Sequence, residues 1–148
     1  NVQAKHELNQ AGLKTTQPRL KLLDILEPSR VPHLSAEDVY KRLLELDQDI
    51  GLATVYRVLT QFESAGLVIR HNFEGGASVF ELNDASHHDH MVCIKCNKVF
   101  EFFDNTIEQR QRKAAEKSGF VMQDHSLYLY GLCRGMQERG KCSMRNTV

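Results

Sequence analysis

Ten consecutive residues, HHDHMVCIKC at 87–96, hold six side chains that commonly bind metal ions. The whole chain of 148 residues has only seven histidines and four cysteines, so this segment concentrates both types. Polar and charged groups at such density are costly to hold together unless a cation lies between them. The segment therefore predicts metal binding.

Two of these residues, Cys93 and Cys96, form a C-x2-C pair, which supplies half of a tetrahedral zinc site. The remaining cysteines, Cys133 and Cys142, would complete four thiolates in a closed structural site, although their spacing is wider than usual. A redox pair or free thiols are the alternatives. The redox alternative is weak, because no thioredoxin-like βαβ pattern surrounds the pair.

The histidines of the segment fall into two groups if residues 87–93 are extended. Successive side chains of a strand point to opposite faces, so His88 and His90 share one face while His87 and Asp89 share the other. Nitrogen and oxygen ligands suit Fe(II), Mn(II), Co(II) or Zn(II). Residues elsewhere in the chain that could complete two such sites are His33, Glu81, Glu101, Glu108 and His125. Isolated histidines, His6 and His71, are expected to be surface or packing residues.

The first half of the chain must place some of these ligands, and it has the pattern of a winged helix. Thr16 can cap a helix with Pro18 in its first turn, and that helix should end before Pro28. SAED at 35–38 fits a capping box, and an apolar stripe predicts another helix over 52–65. Two β-rich runs around Glu-Gly-Gly at 74–76 then predict a hairpin.

The exposed face of the helix over 52–65 carries side chains that suit DNA. With the apolar stripe inward, Thr54, Tyr56 and Arg57 point outward, where they can contact bases or phosphates. Lys14 and Arg19 lie near the second helix and could reach the minor groove or the backbone. A solvated helix face with no DNA role is the alternative interpretation.

The second half predicts a small α+β unit. HMVCI and VFEFF read as strands, 104–119 as a helix and SLYLYGLC as a strand. The boundary is expected near LNDAS, which gives domains 1–82 and 83–148, with a mobile tail over 134–148.

Composition and charge limit the expected location of the protein and the kind of DNA-binding face it can have. No apolar run approaches the roughly 20 residues that a membrane helix needs, and the first residues lack the apolar stretch of a secretory signal. We therefore expect a cytoplasmic protein with no membrane partner, in which cysteines are thiols or metal thiolates. The net charge is zero, so any DNA-binding face must be a local patch.

The chain resembles the ferric uptake regulator (Fur) family of bacterial metal-dependent repressors over nearly its full length. The stretches that carry the resemblance are GLKTTQPRLKLLDIL, HLSAEDVYKRL, IGLATVYRVLTQFESAGLVIRHNFEGG, HHDHMVCIKC, IEQRQRKAAEKSGF and HSLYLYG. The resemblance implies an α+β fold with an N-terminal winged helix-turn-helix domain, a hinge and a C-terminal α/β dimerisation domain. It also implies a homodimer, or a tetramer built from dimers, on a palindromic A·T-rich double-stranded DNA operator.

By the same resemblance, specific positions take specific roles. The hinge site, usually called regulatory, would be His33, Glu81, His88, His90 and Glu101. The site within the dimerisation domain would be His87, Asp89, Glu108 and His125. Structural Zn(II) would be held by Cys93 and Cys96, with Cys133 and Cys142. The DNA-binding positions would be Lys14, Arg19, Thr54, Tyr56, Arg57 and Arg70.

The resemblance also bears on the metal. Zinc-sensing members bring a cysteine into the hinge site, and peroxide-sensing members use aspartates where this chain has Glu81 and Glu101. Fe(II) is therefore expected at the regulatory site, with Mn(II) or Zn(II) as surrogates. One departure stands out, because the second cysteine pair of the family is closer together and position 138 here is Glu138. Cys142 would then be the fourth zinc ligand, or the site would be incomplete.

Two other classes of protein compete with a repressor. A metalloenzyme is disfavoured, since the chain has neither H-E-x-x-H nor the paired motif of zinc deaminases. A metal-buffering protein would leave the winged-helix pattern and the Tyr56-Arg57 pair unexplained.

Overall fold

The helices and strands follow the predicted order and divide the chain into two units. The computed structural model describes residues 2–27, 33–83 and 87–142. The chain divides into its two units after residue 85. Pro28 and residues 84–86 of the predicted boundary lie outside the described residues. Over the described residues, no helix is both long and apolar enough to cross a membrane.

The first unit has four helices followed by a hairpin among its described residues. Their bounds are α1 Val2–Gln10, α2 Gln17–Ile25, α3 Ala36–Glu45, α4 Leu52–Ser64, β1 Val68–His71 and β2 Val79–Leu82. Thr16 caps α2, since its side chain accepts a hydrogen bond from the Arg19 N–H. Ser35 and Asp38 form the predicted capping box of α3, with both bonds at 3.1 Å.

Apolar packing holds this unit together. Val55, Val58, Leu59 and Phe62 form the buried stripe of α4, as its periodicity predicts. They pack into one cluster with side chains from the other elements, including Ala4, Leu8, Leu22, Leu23, Ile25, Leu26, Leu34, Ala36, Val39, Leu43, Val68 and Phe80. The opposite face of α4 is thereby left toward solvent.

An isolated β-bridge pairs Leu34 with the second strand of the hairpin in the first unit. β1 and β2 are antiparallel, with His71 opposite Val79. Leu34 pairs with Phe80 through reciprocal backbone hydrogen bonds of 2.7 and 3.1 Å. This pairing brings the residue before Leu34 opposite the residue after Phe80, although they are far apart in sequence.

The described residues of the second unit form a three-stranded sheet and two helices. Its elements are β3 Asp89–Cys93, β4 Val99–Phe102, α5 Asn105–Lys117, β5 Tyr128–Gly131 and α6 Arg134–Arg139. β3 is central, antiparallel to β4 and parallel to β5. The parallel pairing matters for function, because it brings the amino ends of β3 and β5 to one edge and their carboxyl ends to the other.

The end of the described chain differs from the predicted mobile tail. Residues 134–139 form helix α6, which begins directly after Cys133 and ends at Gly140 with φ of 66°. The Gln137 side chain donates to the Leu132 carbonyl at 2.8 Å and anchors the helix to the chain after β5. Residues 143–148 of the predicted tail lie outside the described residues.

Candidate metal centres and nucleic-acid interface

Three cysteines meet at the carboxyl ends of the parallel strands. Cys93 ends β3 opposite Gly131, and Cys133 follows Gly131 by two residues. Cys96 lies in the turn after β3, with its sulfur 3.9 Å from that of Cys133. The three sulfurs lie within 4.8 Å of one another. We call these residues, with Cys142, the thiol cluster.

The electrostatics of the thiol cluster fit a bound cation. Burial and hydrogen bonds with the thiols of Cys93, Cys142 and Cys133 raise the pKa of Cys96 to about 12. Burial alone would also raise the pKa of Cys93, but backbone N–H groups, including those of Cys133 and Cys96 at 3.4 and 3.5 Å, lower it overall. Crowded thiols lose their protons together only when a cation compensates the charge, as zinc does.

The amino ends of the same strands carry a second cluster, made of His87, Asp89, Glu108 and His125. Nε2 of His87 and Nε2 of His125 lie 3.1 and 3.2 Å from Oε1 of Glu108. His87 also lies 3.3 Å from Oδ1 of Asp89. Asp104 caps α5 and thereby sets the first turn that presents Glu108. We call this group the amino-end cluster.

Asp89 is the most unusual member of the amino-end cluster. Its side chain is fully buried, and both of its carboxylate oxygens lack a hydrogen bond from the residues that the structure describes. Burial raises the pKa of Asp89, and the neighbouring Glu108 carboxyl raises it further. A buried carboxylate beside a second carboxylate and two imidazoles is stabilised when a divalent cation neutralises it. The donor set therefore fits a metal ion.

The first unit contains a smaller group of ligand-type side chains, His33 and Glu81. The bridge between Leu34 and Phe80 places them opposite each other, and Nε2 of His33 lies 3.1 Å from Oε2 of Glu81. Both side chains are buried. We call this pair the first-unit set.

The second unit contributes three further residues on one face of its sheet. His90 pairs with Glu101 across β3 and β4, and Nε2 of His88 lies 3.2 Å from Oε1 of Glu101. The rings of His88 and His90 are 5.0 Å apart. His87 and Asp89 lie with the amino-end cluster instead, so the expected alternation of faces is observed. We call His88, His90 and Glu101 the second-unit set.

The exposed face of α4 carries the residues expected to contact DNA. Tyr56 and Arg57 are exposed, and the Arg57 guanidinium donates to the Thr54 hydroxyl at 3.4 Å. The Tyr56 hydroxyl donates to the Glu37 carboxylate at 2.5 Å. This bond ties the ring of Tyr56 to the start of α3 and raises the pKa of the Tyr56 hydroxyl.

The other candidate DNA contacts flank α4. Arg19 donates to the Lys14 carbonyl at 2.8 Å and to the Gln61 side chain at 3.1 Å, so it joins the segment before α2 to α4. Arg70 is held differently, with Nε 3.2 Å from Glu63 and its guanidinium over the Phe80 ring. A phosphate contact by Arg70 would therefore compete with an existing ion pair.

Two residues near these sites did not emerge from the sequence. His71 was expected to be a surface or packing residue; it is buried and stacks on Phe73, but its contact with Glu81, at 2.7 Å between Nε2 and Oε1, was not expected. The Glu-Gly-Gly turn did contain the signal, since a hairpin centred there makes Glu81 a diagonal neighbour of His71. Glu37 had no comparable signal, because its contact with Tyr56 depends on how α3 and α4 pack.

Comparisons with known proteins agree with this arrangement. The sequence profile described as "Ferric uptake regulator family" matches residues 10–130. The "Ferric uptake regulation protein" of Legionella pneumophila is 63% identical over 132 residues, which cover 89% of this chain and 97% of that protein.

Solved structures give the same result for the fold. The ferric uptake regulator of Vibrio cholerae is 56% identical and has a TM-score of 0.82, with 87% of this chain and 98% of that chain covered. A ferric uptake regulator from Francisella tularensis with iron is 42% identical with a TM-score of 0.80, over 86% of this chain and 96% of that chain. The helical first unit and the α/β second unit match the Fur fold, and this chain belongs to the ferric uptake regulator family of metal-responsive, DNA-binding regulators.

Proposed function

We propose that this chain is an iron(II)-responsive transcriptional repressor of iron-uptake genes that acts in the cytoplasm. In this proposal the first-unit set and the second-unit set share one Fe(II) at the hinge between domains 1–82 and 83–148. Zn(II) occupies the thiol cluster, and the amino-end cluster holds a further divalent cation. The observation that carries the proposal is that imidazoles and carboxylates are already grouped within each unit, while neither hinge set alone supplies a full coordination sphere.

Each hinge set makes a separate contribution to the switch. The first-unit set brings one imidazole and one buried carboxylate from the winged helix, and the second-unit set brings two imidazoles and a carboxylate from the sheet. A bound divalent cation supplies the positive charge that both carboxylates share. Since the sets converge only in one relative pose of the domains, binding shifts the population toward that pose. DNA that fits the pose must reciprocally raise metal affinity.

The choice of iron over zinc as the sensed metal is supported by the cysteines. Cys93, Cys96 and Cys133 lie together, and Cys142 contacts Cys96. This arrangement leaves the two hinge sets with nitrogen and oxygen donors. Such donors are better suited to binding Fe(II) or Mn(II) than to forming a closed structural zinc site. The Francisella tularensis relative solved with iron also favours this choice.

A second copy of the chain is the proposed partner of the second unit. Its sheet leaves Met91, Leu129, Tyr130 and Leu132 exposed along a groove of about 870 Å³. β5 is also an edge strand of the sheet that the described residues form. A homodimer through this face would present two α4 helices to palindromic half-sites, with Thr54, Tyr56, Arg57, Lys14 and Arg19 toward the DNA and Arg70 beside them.

Operator binding under anaerobic conditions tests the proposal. We expect Fe(II)-loaded protein to bind an A·T-rich palindrome tightly and chelator-treated protein to lose that affinity. His90→Ala should remove the metal response while dimers persist in size-exclusion chromatography. Arg57→Ala is the matched control, which should lower DNA affinity by about 1–3 kcal/mol and leave metal uptake intact. Equal operator binding with and without metal would refute the proposal.

A further inference from the structure

His71 lies beside the proposed hinge site but supplies none of its ligands. Its side chain is buried at the end of β1, one diagonal position from Glu81 on β2. Nε2 of His71 lies 2.7 Å from Oε1 of Glu81, which is the shortest of the imidazole–carboxylate distances described above. The contact is local to the hairpin, so it requires no residue of the second unit.

The direction of this hydrogen bond follows from chemistry. An ionised carboxylate only accepts hydrogen bonds, so Nε2 of His71 carries the proton and donates. The two oxygens of Glu81 then have different partners, with Oε1 facing His71 and Oε2 lying 3.1 Å from Nε2 of His33. His71 therefore holds the carboxylate by one oxygen and leaves the other beside the imidazole of His33.

The ring of His71 is itself held in place. It stacks on Phe73 with the two planes within 1° of parallel and their centroids 5.6 Å apart. Phe73 is buried, so the stack cannot rotate freely. A donor with a fixed orientation is what a ligating carboxylate needs if its angle is to be set before the cation arrives.

We infer that His71 is a positioning residue for the hinge metal site, and that its N–H orients Glu81 so that Oε2 is presented with His33. This inference rests on the proposed function, because it assumes that Glu81 and His33 bind the sensed cation. Outer hydrogen bonds of this kind change metal affinity by about 10- to 100-fold when removed.

Two substitutions separate orientation from simple packing. His71→Leu introduces an apolar side chain of similar bulk and removes the donor. His71→Gln places an amide nitrogen near the position of Nε2 and restores it. Co(II) titration in competition with a chromophoric chelator, on zinc-loaded full-length protein, measures the affinity of the nitrogen and oxygen sites. We expect one Co(II) equivalent to bind about 10- to 100-fold more weakly in His71→Leu, and His71→Gln to recover most of the loss.

Two controls make the result decisive. The second Co(II) equivalent and the zinc content should not change. Equal losses in the Leu and Gln variants, or an unchanged His71→Leu, would each overturn the inference. Wild-type protein tests the proposed function separately. If Co(II) fails to promote its operator binding, the proposed function fails whatever the variants do.

Discussion

Each of the two units of this chain is stabilised internally by a different kind of interaction. The first unit buries a continuous apolar cluster, in which Leu8, Leu22, Leu59 and Phe62 are fully enclosed. Among the described residues of the second unit, the buried apolar side chains are Val92 and Val99, while the ligand-type side chains Cys93, Asp89, His90 and Glu108 are buried with them. The second unit thus buries more ligand-type side chains than apolar ones.

This difference predicts different sources of stability. A unit with a small apolar core depends on a metal ion or on association with another chain, whereas a unit with a full core does not. The exposed apolar side chains on the sheet of the second unit fit the same conclusion. We expect metal and dimerisation to govern the second unit and apolar packing to govern the first.

The largest expected effect is the loss of the thiol cluster. The double substitution Cys93→Ser and Cys96→Ser should remove about one zinc equivalent per chain and abolish cooperative unfolding of the second unit, because structural zinc contributes on the order of 10 kcal/mol to small domains. The first unit should still unfold cooperatively at its own midpoint. Zinc analysis and calorimetry measure both effects.

The position of Cys142 provides an internal control for that experiment. Cys142→Ser should weaken zinc binding less than the double substitution does, since Cys142 contacts Cys96 from outside the group of three. A double variant that kept both zinc and a wild-type melting profile would contradict the conclusion that metal binding stabilises the second unit.

The second-largest effect is expected from creating a cavity in the core of the first unit. Phe62→Ala deletes a fully buried ring and should lower the free energy of unfolding by about 3–5 kcal/mol. The same loss should appear in metal-loaded and chelator-treated protein, as measured by urea unfolding. Thr60→Ala, on the exposed face of the same helix, is the control and should change stability by less than about 0.5 kcal/mol. A metal-dependent loss in Phe62→Ala would contradict the distinction between the units.

A smaller effect, confined to the second unit, is expected from the amino-end cluster. Asp89→Asn removes a buried charge while keeping the shape of the side chain, so metal affinity there should fall by about tenfold or more. The stability of chelator-treated protein should not fall, because an uncompensated buried carboxylate is itself unfavourable. Mn(II) binding isotherms and urea unfolding test the two parts. A stability loss like that of Phe62→Ala would mean that Asp89 acts in packing rather than in metal binding.

The smallest expected effect concerns the hydrogen bond from Tyr56 to Glu37. Glu37→Ala and Glu37→Gln both remove the negative charge, but only the Gln variant keeps an acceptor for the Tyr56 hydroxyl. The Gln variant should therefore bind the operator about 2- to 10-fold more tightly than the Ala variant. Fluorescence anisotropy at matched salt measures the ratio, and metal uptake should be identical in the two. Equal affinities would show that Glu37 does not position Tyr56.

Local patterns were sufficient to predict much of this molecule. The apolar period of 52–65 predicted the buried stripe of α4, and SAED at 35–38 predicted the cap of α3. Alternation along 87–90 predicted which histidines share a face. These features depend on neighbours within a few residues, for which propensity and periodicity are direct guides.

The tail and His71 show where that reasoning stopped. The first turn of α6 is anchored to residues just after β5, so the ordered structure of residues 134–139 depends on the strand before them. His71 appeared isolated, because its partner Glu81 lies ten positions away across the hairpin. The contact of His71 depends on pairing between strands, which the sequence indicated only through the turn at 74–76.

Residue types and their local spacing, together with the family resemblance, were enough to establish the order of elements, the ligand types and the face of α4 that meets solvent. The family resemblance also implied how the ligands group, and tertiary pairing alone decided the distances within each group. The parallel contact of β3 with β5 gathers thiols at one edge and imidazoles with carboxylates at the other. The bridge of Leu34 to Phe80 brings His33 to Glu81. Ligand chemistry is a property of single side chains, whereas a site requires distances between strands that only the folded backbone sets.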